Sequence, residues 1–206
     1  MGKNFIGPKE LEKIGLDLKI KKLSEIKLPM PRIKYSTEFL AKVKNSHILI
    51  LGISCDFKGK PLTINRMRQN FGTDPKKSEP CFYNQDWYLK EDFAAKKTLN
   101  FDWYLISKKI KEKTRGINPE KIPLLLTEKE SLPLAILAAF TFFAYYFLTK
   151  EKLWEKEFIW CKDVDSNGDQ IYVGRYTDPK NINKNGFNIH RHLKIRSWFG
   201  AAPQIL

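Results

Sequence analysis

The amino-acid sequence predicts an α+β fold: a central apolar helix packed against a C-terminal antiparallel β-meander, with additional helices and a short strand upstream. Two patterns lead there. Helical signals predominate upstream and culminate in an uncharged segment at residues 131–149, whereas sustained period-two alternation begins only after residue 156. At 206 residues, with 42% apolar and 13% aromatic content, the chain is long and apolar enough to bury a substantial core.

Taken in order, residues 1–45 read as a Lys-rich N-terminal segment, set apart from an α+β core domain at residues 46–206. Leu11, Ile14, Leu16, Leu18, Ile20 and Leu23 keep no clean period, so helix and strand compete there, and Pro29 and Pro31 then break the chain. The apolar run at residues 47–53 suits a buried strand. Thr63 is placed to cap a helix ending at Phe71, with Arg66 and Gln69 or Asn70 on its exposed face. Asp74-Pro75 and Glu79-Pro80 mark a loop, after which Asp86 is expected to cap an amphipathic helix carrying Trp87, Phe93 and Ala94. Residues 103–107 read as a strand, followed by a charged run and a linker bounded by Pro119 and Pro123.

The segment Leu-Pro-Leu-Ala-Ile-Leu-Ala-Ala-Phe-Thr-Phe-Phe-Ala-Tyr-Tyr-Phe-Leu occupies residues 132–148. As a helix its 17 residues would span ~26 Å, at the lower limit for a bilayer core of ~30 Å. Lys129, Lys150 and Lys152 flank both sides without a bias, and Ala135, Ala138, Thr141, Tyr145 and Thr149 give one weakly polar edge. A buried core helix is the expectation, capped by Ser131 with Pro133 in its first turn; a membrane anchor at residues 132–148 is the alternative. Beyond it, residues 157–162, 170–176 and 187–195 alternate around turns as a three-stranded meander.

The formal net charge of +14 is concentrated at the two ends. Residues 1–45 carry 11 Lys/Arg against 5 Asp/Glu, residues 179–206 carry 5 against none, and the stretch between carries 21 against 18. Basic ends attract phosphates and release their condensed counterions, which makes nucleic acid the first partner to weigh. Composition offers a plainer source, since only seven of the 37 cations are Arg. Residues 1–6 present neither an uninterrupted apolar secretory segment nor the Ser/Thr that myristoylation prefers, so a cytoplasmic location is expected. Three widely spaced cysteines, Cys55, Cys81 and Cys161, argue against a disulfide framework or a Cys-only zinc site.

Residues 163–169, Asp-Val-Asp-Ser-Asn-Gly-Asp, carry the spacing of a calcium loop through its sixth position. The pattern then fails: Gly174 falls where the bidentate Glu belongs and Gln170 where an apolar residue is expected. The expectation is a hairpin turn built on Asn167-Gly168, with no metal or cofactor required. On a strand, Asn188, His190, His192, Lys194 and Arg196 would share one face, opposite Phe187, Ile189, Arg191, Leu193 and Ile195. That face reads as a phosphate-tracking stripe with Trp198 and Phe199 as stacking surfaces beyond it. Two histidines at that spacing also offer a partial metal site, but no third ligand is marked by spacing.

Other chemistry finds little support. The one Glu-x-Lys of restriction-type nucleases, Glu25-Ile26-Lys27, lacks an acidic partner, and the phosphate-loop, dinucleotide, nucleophile-elbow and His-Glu-x-x-His patterns are absent. The triplet Trp-Tyr-Leu, at 87 and again at 103, resembles the name-giving triplet of a family of bacterial ligand-sensing regulator domains, but the arginine-bearing strand that follows it in that family is missing. The functional expectation is a non-catalytic module that binds nucleic acid, DNA or RNA, or a nucleoprotein partner through its basic ends. A metal-dependent phosphodiesterase or nuclease using His190 and His192 is the alternative from enzyme chemistry.

Overall fold

Residues near the N-terminus are built into a sheet and into the core. In this computed structural model, which describes residues 2–178, 180, 182 and 185–206, β1 (Phe5–Ile6) pairs in parallel with β2 (His47–Leu51), with α1 (Pro8–Leu18) and α2 (Thr37–Val43) between them in sequence. The blurred period of the first segment resolves as helix: Leu11, Ile14 and Leu18 face inward, while Leu16 is 90% exposed. Leu16 is the residue that spoils the pattern. Pro8 sits in the first turn of α1, and the Gly7 N–H donates to Glu10 Oε2 at 3.0 Å.

Strand β2 is apolar throughout its buried residues, Ile48, Leu49, Ile50 and Leu51, because both of its faces are covered. Helices α3 (Ile64–Phe71) and α4 (Asp92–Ala95) precede β3 (Trp103–Ser107), which pairs antiparallel with β2 in the register Leu49 to Leu105. Thr63 caps α3, accepting from the Arg66 N–H at 3.2 Å. The helix expected from Asp86 is confined to the four residues of α4. Asp86 instead pairs with Arg68, and the indole N–H of Trp87 donates to the Ile189 carbonyl at 3.2 Å, which ties this segment down as a turn.

The remaining elements are β4 (Glu130–Ser131), α5 (Ala135–Thr149), β5 (Phe158–Val164), β6 (Gln170–Gly174), β7 (Asn188–His190), β8 (Phe199–Gly200) and β9 (Gln204–Ile205). They complete two sheets, of order β1-β2-β3-β9-β4 and β7-β6-β5-β8. The fold class is α+β. In the second sheet β5–β6 and β6–β7 are antiparallel, and β8 joins β5 in parallel. Residues 199–205 thus add a strand to each sheet in turn.

Helix α5 is buried at every position from 135 to 145 and touches α1, α3, α4, β5 and β6. Phe143 stacks on Phe71 and Phe82, and Phe142 stacks on Tyr176. At 15 residues it is short, and no helix among the described residues is long and apolar enough to cross a membrane. Ser131 does not cap it: Ser131 lies in β4, opposite Gln204, and the helix begins after Leu134. The cap comes from across the fold. Buried Asp163 on β5 accepts the Ala135 N–H at 2.6 Å and is neutralised by Lys97 Nζ at 2.5 Å. A carboxylate at this end also suits the positive pole of the helix dipole.

Alternation on β5 and β6 divides two cores. Ile159, Cys161, Ile171 and Val173 join the main core around α5, whereas Phe158, Trp160 and Tyr172 form a second cluster with Phe199, Ala201, Ile122 and Leu132. The Pro-bounded segment is therefore more than a linker, since its 3-10 helix, Pro119–Leu125, seats Ile122 in that second core.

Asp163→Ala strands a buried helix N–H and leaves Lys97 without its partner, so unfolding in urea should show a loss of about 2 kcal/mol or more, with Asp163→Asn losing less. A loss under ~0.5 kcal/mol for the alanine variant would remove the cap from the account of α5.

Candidate nucleic-acid interface

The outer face of the second sheet and the segment crossing it carry the candidate residues, but not as one strand face. Strand β7 ends at His190, where residues 187–195 were expected to continue it. The break has a conformational cause: His192 adopts φ +64°, a left-handed turn that ends the period-two alternation. His190 and His192 are consequently split. The His190 ring lies 5.8 Å edge-on from Phe158, 6.2 Å from Tyr172 and 6.4 Å from Tyr83. Burial among these rings, and then the Arg175 charge, push its pKa down to about 4. His190 is therefore a neutral imidazole at physiological pH.

From β7 the chain crosses the outer face to reach β8 at the opposite edge of the sheet. Two contacts pin the crossing: the Leu193 N–H donates to the Tyr172 hydroxyl at 2.8 Å, and Ile195 packs on the second core. Lys194 and Arg196, on either side of Ile195, point to solvent. Trp198 is 37% exposed, whereas Phe199 is 1% exposed inside the second core. Phe199 therefore offers no stacking surface, which corrects the sequence expectation. The acid-free stretch also includes residues 179, 181, 183 and 184, which lie outside the described residues.

A residue that the charge pattern did not single out occupies the centre. Arg175 follows β6 at φ +42°, and its N–H reaches the carbonyls of Glu157 at 2.7 Å and Trp154 at 2.9 Å. Gly174 before it has φ +122°, and a Cβ there would stand 2.5 Å from the Glu157 carbonyl oxygen, so only glycine fits. This backbone holds the Arg175 guanidinium over Trp198, 5.3 Å from the ring centre, and over Phe158 at 5.9 Å. Two small cavities meet here. One of 230 Å³ is lined by Lys156, Arg175, Thr177 and Trp198. The other, of 140 Å³, shares Arg175 and Thr177 and adds Tyr83, Asp178, Asn188 and His190 to its wall. The signal available in the sequence was the Gly-Arg pair closing a strand.

Residues 163–169 form the β5–β6 hairpin, with Gly168 at φ +88° in its turn. Buried Asp165 organises it: Oδ1 accepts the N–H groups of Asn167 and Asp169, and Oδ2 pairs with Arg191, whose guanidinium lies 4.5 Å over Trp87. Burial pushes the Asp165 pKa up, but Arg191 and the turn amides outweigh it and hold it below the usual range. Among the described residues, one group of three potential ligands lies close enough to share an ion: Asp165, Asp169 and His192. Asp165 is already committed to Arg191 and the turn, and His192 Nε2 to Asp169, so a cation there would compete with a guanidinium. His190 is not part of this group, so the proposed pair of histidine ligands is not assembled.

Compared with known proteins, the chain matches no family model, no curated protein and no solved structure.

Two measurements test this geometry. The unfolded chain protonates residue 190 near pH 6.5 and the folded protein near pH 4, so the stability it contributes is complete above 6.5 and lost as pH falls toward 4. Urea unfolding should lose roughly 2 kcal/mol through this residue between pH 7 and pH 4.5, and His190→Gln should flatten that decline. Calorimetric titration with calcium should show no micromolar site; Arg191→Ala frees the Asp165 carboxylate and is the variant in which one would first emerge.

Proposed function

We propose that the protein binds nucleic acid without catalysing a reaction, through the outer face of its second sheet and the segment that crosses it. The observation that carries this reading is the company kept by four unpaired cations, three exposed and one, Arg175, half-buried. Lys156, Arg175, Lys194 and Arg196 form no ion pair among the described residues; Lys156 and Arg175 line a cleft walled by Trp198, and Lys194 and Arg196 lie exposed on the segment that leads to Trp198. Cations on a loop beside an exposed aromatic ring give the two elements of sequence-tolerant binding, backbone neutralisation and stacking. The basic residues of the N-terminal segment add long-range attraction.

A phosphodiesterase needs a metal or a general base near neutral pH. His190 is held neutral to about pH 4, and the Asp165 carboxylate is engaged, which favours binding over chemistry. A cytoplasmic location belongs to the same reading, and the three free thiols, two of them buried, accord with it.

Each cation that neutralises a phosphate should reduce log affinity by about 0.7 to 0.9 per decade of salt. Lys194→Ala combined with Arg196→Ala should therefore weaken binding to a similar degree across sequences and flatten the salt slope by about one to two units. Wild-type protein that is not retained on heparin or on an oligonucleotide at low salt would end the reading.

A further inference from the structure

We propose that the cleft divided by Arg175 is a binding site for one unpaired nucleotide of a single-stranded nucleic acid, with its phosphate between Arg175 and Lys156 and its base on Trp198. This rests on the nucleic-acid reading above and names the class of strand.

Arginine placement is the first argument. Arg66, Arg68, Arg115 and Arg191 each pair with a carboxylate, so their charges are spent inside the fold. Arg175 forms no such pair among the described residues, yet a left-handed turn and two carbonyl partners fix its backbone, and its guanidinium lies against two aromatic rings. A non-glycine residue persists at such φ when the surroundings over-determine it, which is the pattern of a ligand clamp. Its fork of N–H donors suits a phosphate's geometry, and Lys156 adds a second charge on the same cavity wall.

The neighbouring acids set the direction of binding. Glu155 receives the Thr177 hydroxyl at 2.7 Å, Glu157 is paired with Arg115 at 2.6 Å, and Asp178 lines the smaller cavity. Lys156 lines only the larger cavity and Asp178 only the smaller, so the phosphate is directed to the Lys156 side of Arg175. On that side stands Trp198, with one face toward the guanidinium and part of its ring in solvent. Stacking then selects the strand. A base paired in a duplex has both faces already stacked, so only an unpaired base is free to lie on Trp198.

The test uses full-length protein and a fluorescein-labelled oligonucleotide at low salt, either single-stranded or annealed to its complement. Trp198→Ala should weaken single-strand binding by roughly 5- to 150-fold, the size of one base–aromatic stack, and change duplex binding by less than about threefold. Trp198→Phe should recover part of the loss. Arg175→Gly, which tolerates positive φ and so preserves the fold, should also weaken the single strand more than the duplex. If both variants weaken the two forms alike, or neither, while the salt slope still responds to Lys194 and Arg196, the nucleotide site is wrong and the basic surface remains. If wild-type protein binds neither form, both fall.

Discussion

Helix α5 has no polar face through its first three turns, and most of the architecture follows from having to enclose it. An amphipathic helix needs one partner; a helix apolar all round needs cover on every side. The cover comes from α1, α3, α4 and the inner faces of β5 and β6. Enclosure creates a second requirement, because the free N–H groups at its first turn are shut away from water. Asp163 and Lys97 answer it with a carboxylate and its counter-charge, from two elements distant in sequence. The far end is tied by polar contacts: the Tyr145 hydroxyl accepts from Lys108 Nζ at 2.8 Å and donates to Glu151 at 3.0 Å. The helix expected to be a buried core element, with a membrane anchor as the alternative, is thus tied at both ends by polar contacts from other segments of the fold.

The same strands that cover α5 generate the candidate site. Alternation sends Phe158, Trp160 and Tyr172 to the outer face, and three large aromatic rings cannot be left in water without cost. The chain leaving β7 crosses over them, seats Ile195 and the Leu193 N–H, and returns through β8 to place Phe199 in the same cluster. Its path is set by packing. The residues between the anchors, Lys194, Arg196 and Trp198, are what packing leaves exposed, and so they are free to serve a partner.

Much of this was legible from local pattern. Strands at Trp103–Ser107 and His47–Leu51, the Thr63 cap, the hairpin at 163–169 and the burial of 135–145 follow from period, turn chemistry and cap residues. What failed depended on partners far apart in the chain. Ser131 was the nearest oxygen to α5, but β9 claimed its backbone, and Asp163 was masked by its resemblance to a calcium ligand. Asp86 had the chemistry of a cap and lost it to Arg68. Of the site residues, Lys194, Arg196 and Trp198 are exposed as read, while His192 and Phe199 are diverted by a left-handed turn and by the second core. Neither event leaves a signature in spacing. Arg175 was overlooked because its charge lies outside the basic ends.

Net charge alone does not separate a binding surface from compositional drift, but the type of cation does. Drift of the kind seen here raises Lys and leaves Arg scarce, so each arginine carries more information than each lysine. Of the seven arginines, Arg66, Arg68, Arg115 and Arg191 hold carboxylates within the fold, which leaves Arg32, Arg175 and Arg196 unpaired among the described residues. Two of those three lie on the outer face of the second sheet or on the segment crossing it. Lys9 and Lys13 on the exposed surface of α1 are adequately explained as solubilising charge, whereas Lys19, just past the helix, lies 5.8 Å over Phe71 and lines a 650 Å³ cavity with Lys21, Lys22 and Phe57. The two unpaired arginines and Trp198 therefore support the proposed nucleic-acid partner independently of the lysines of the first 45 residues.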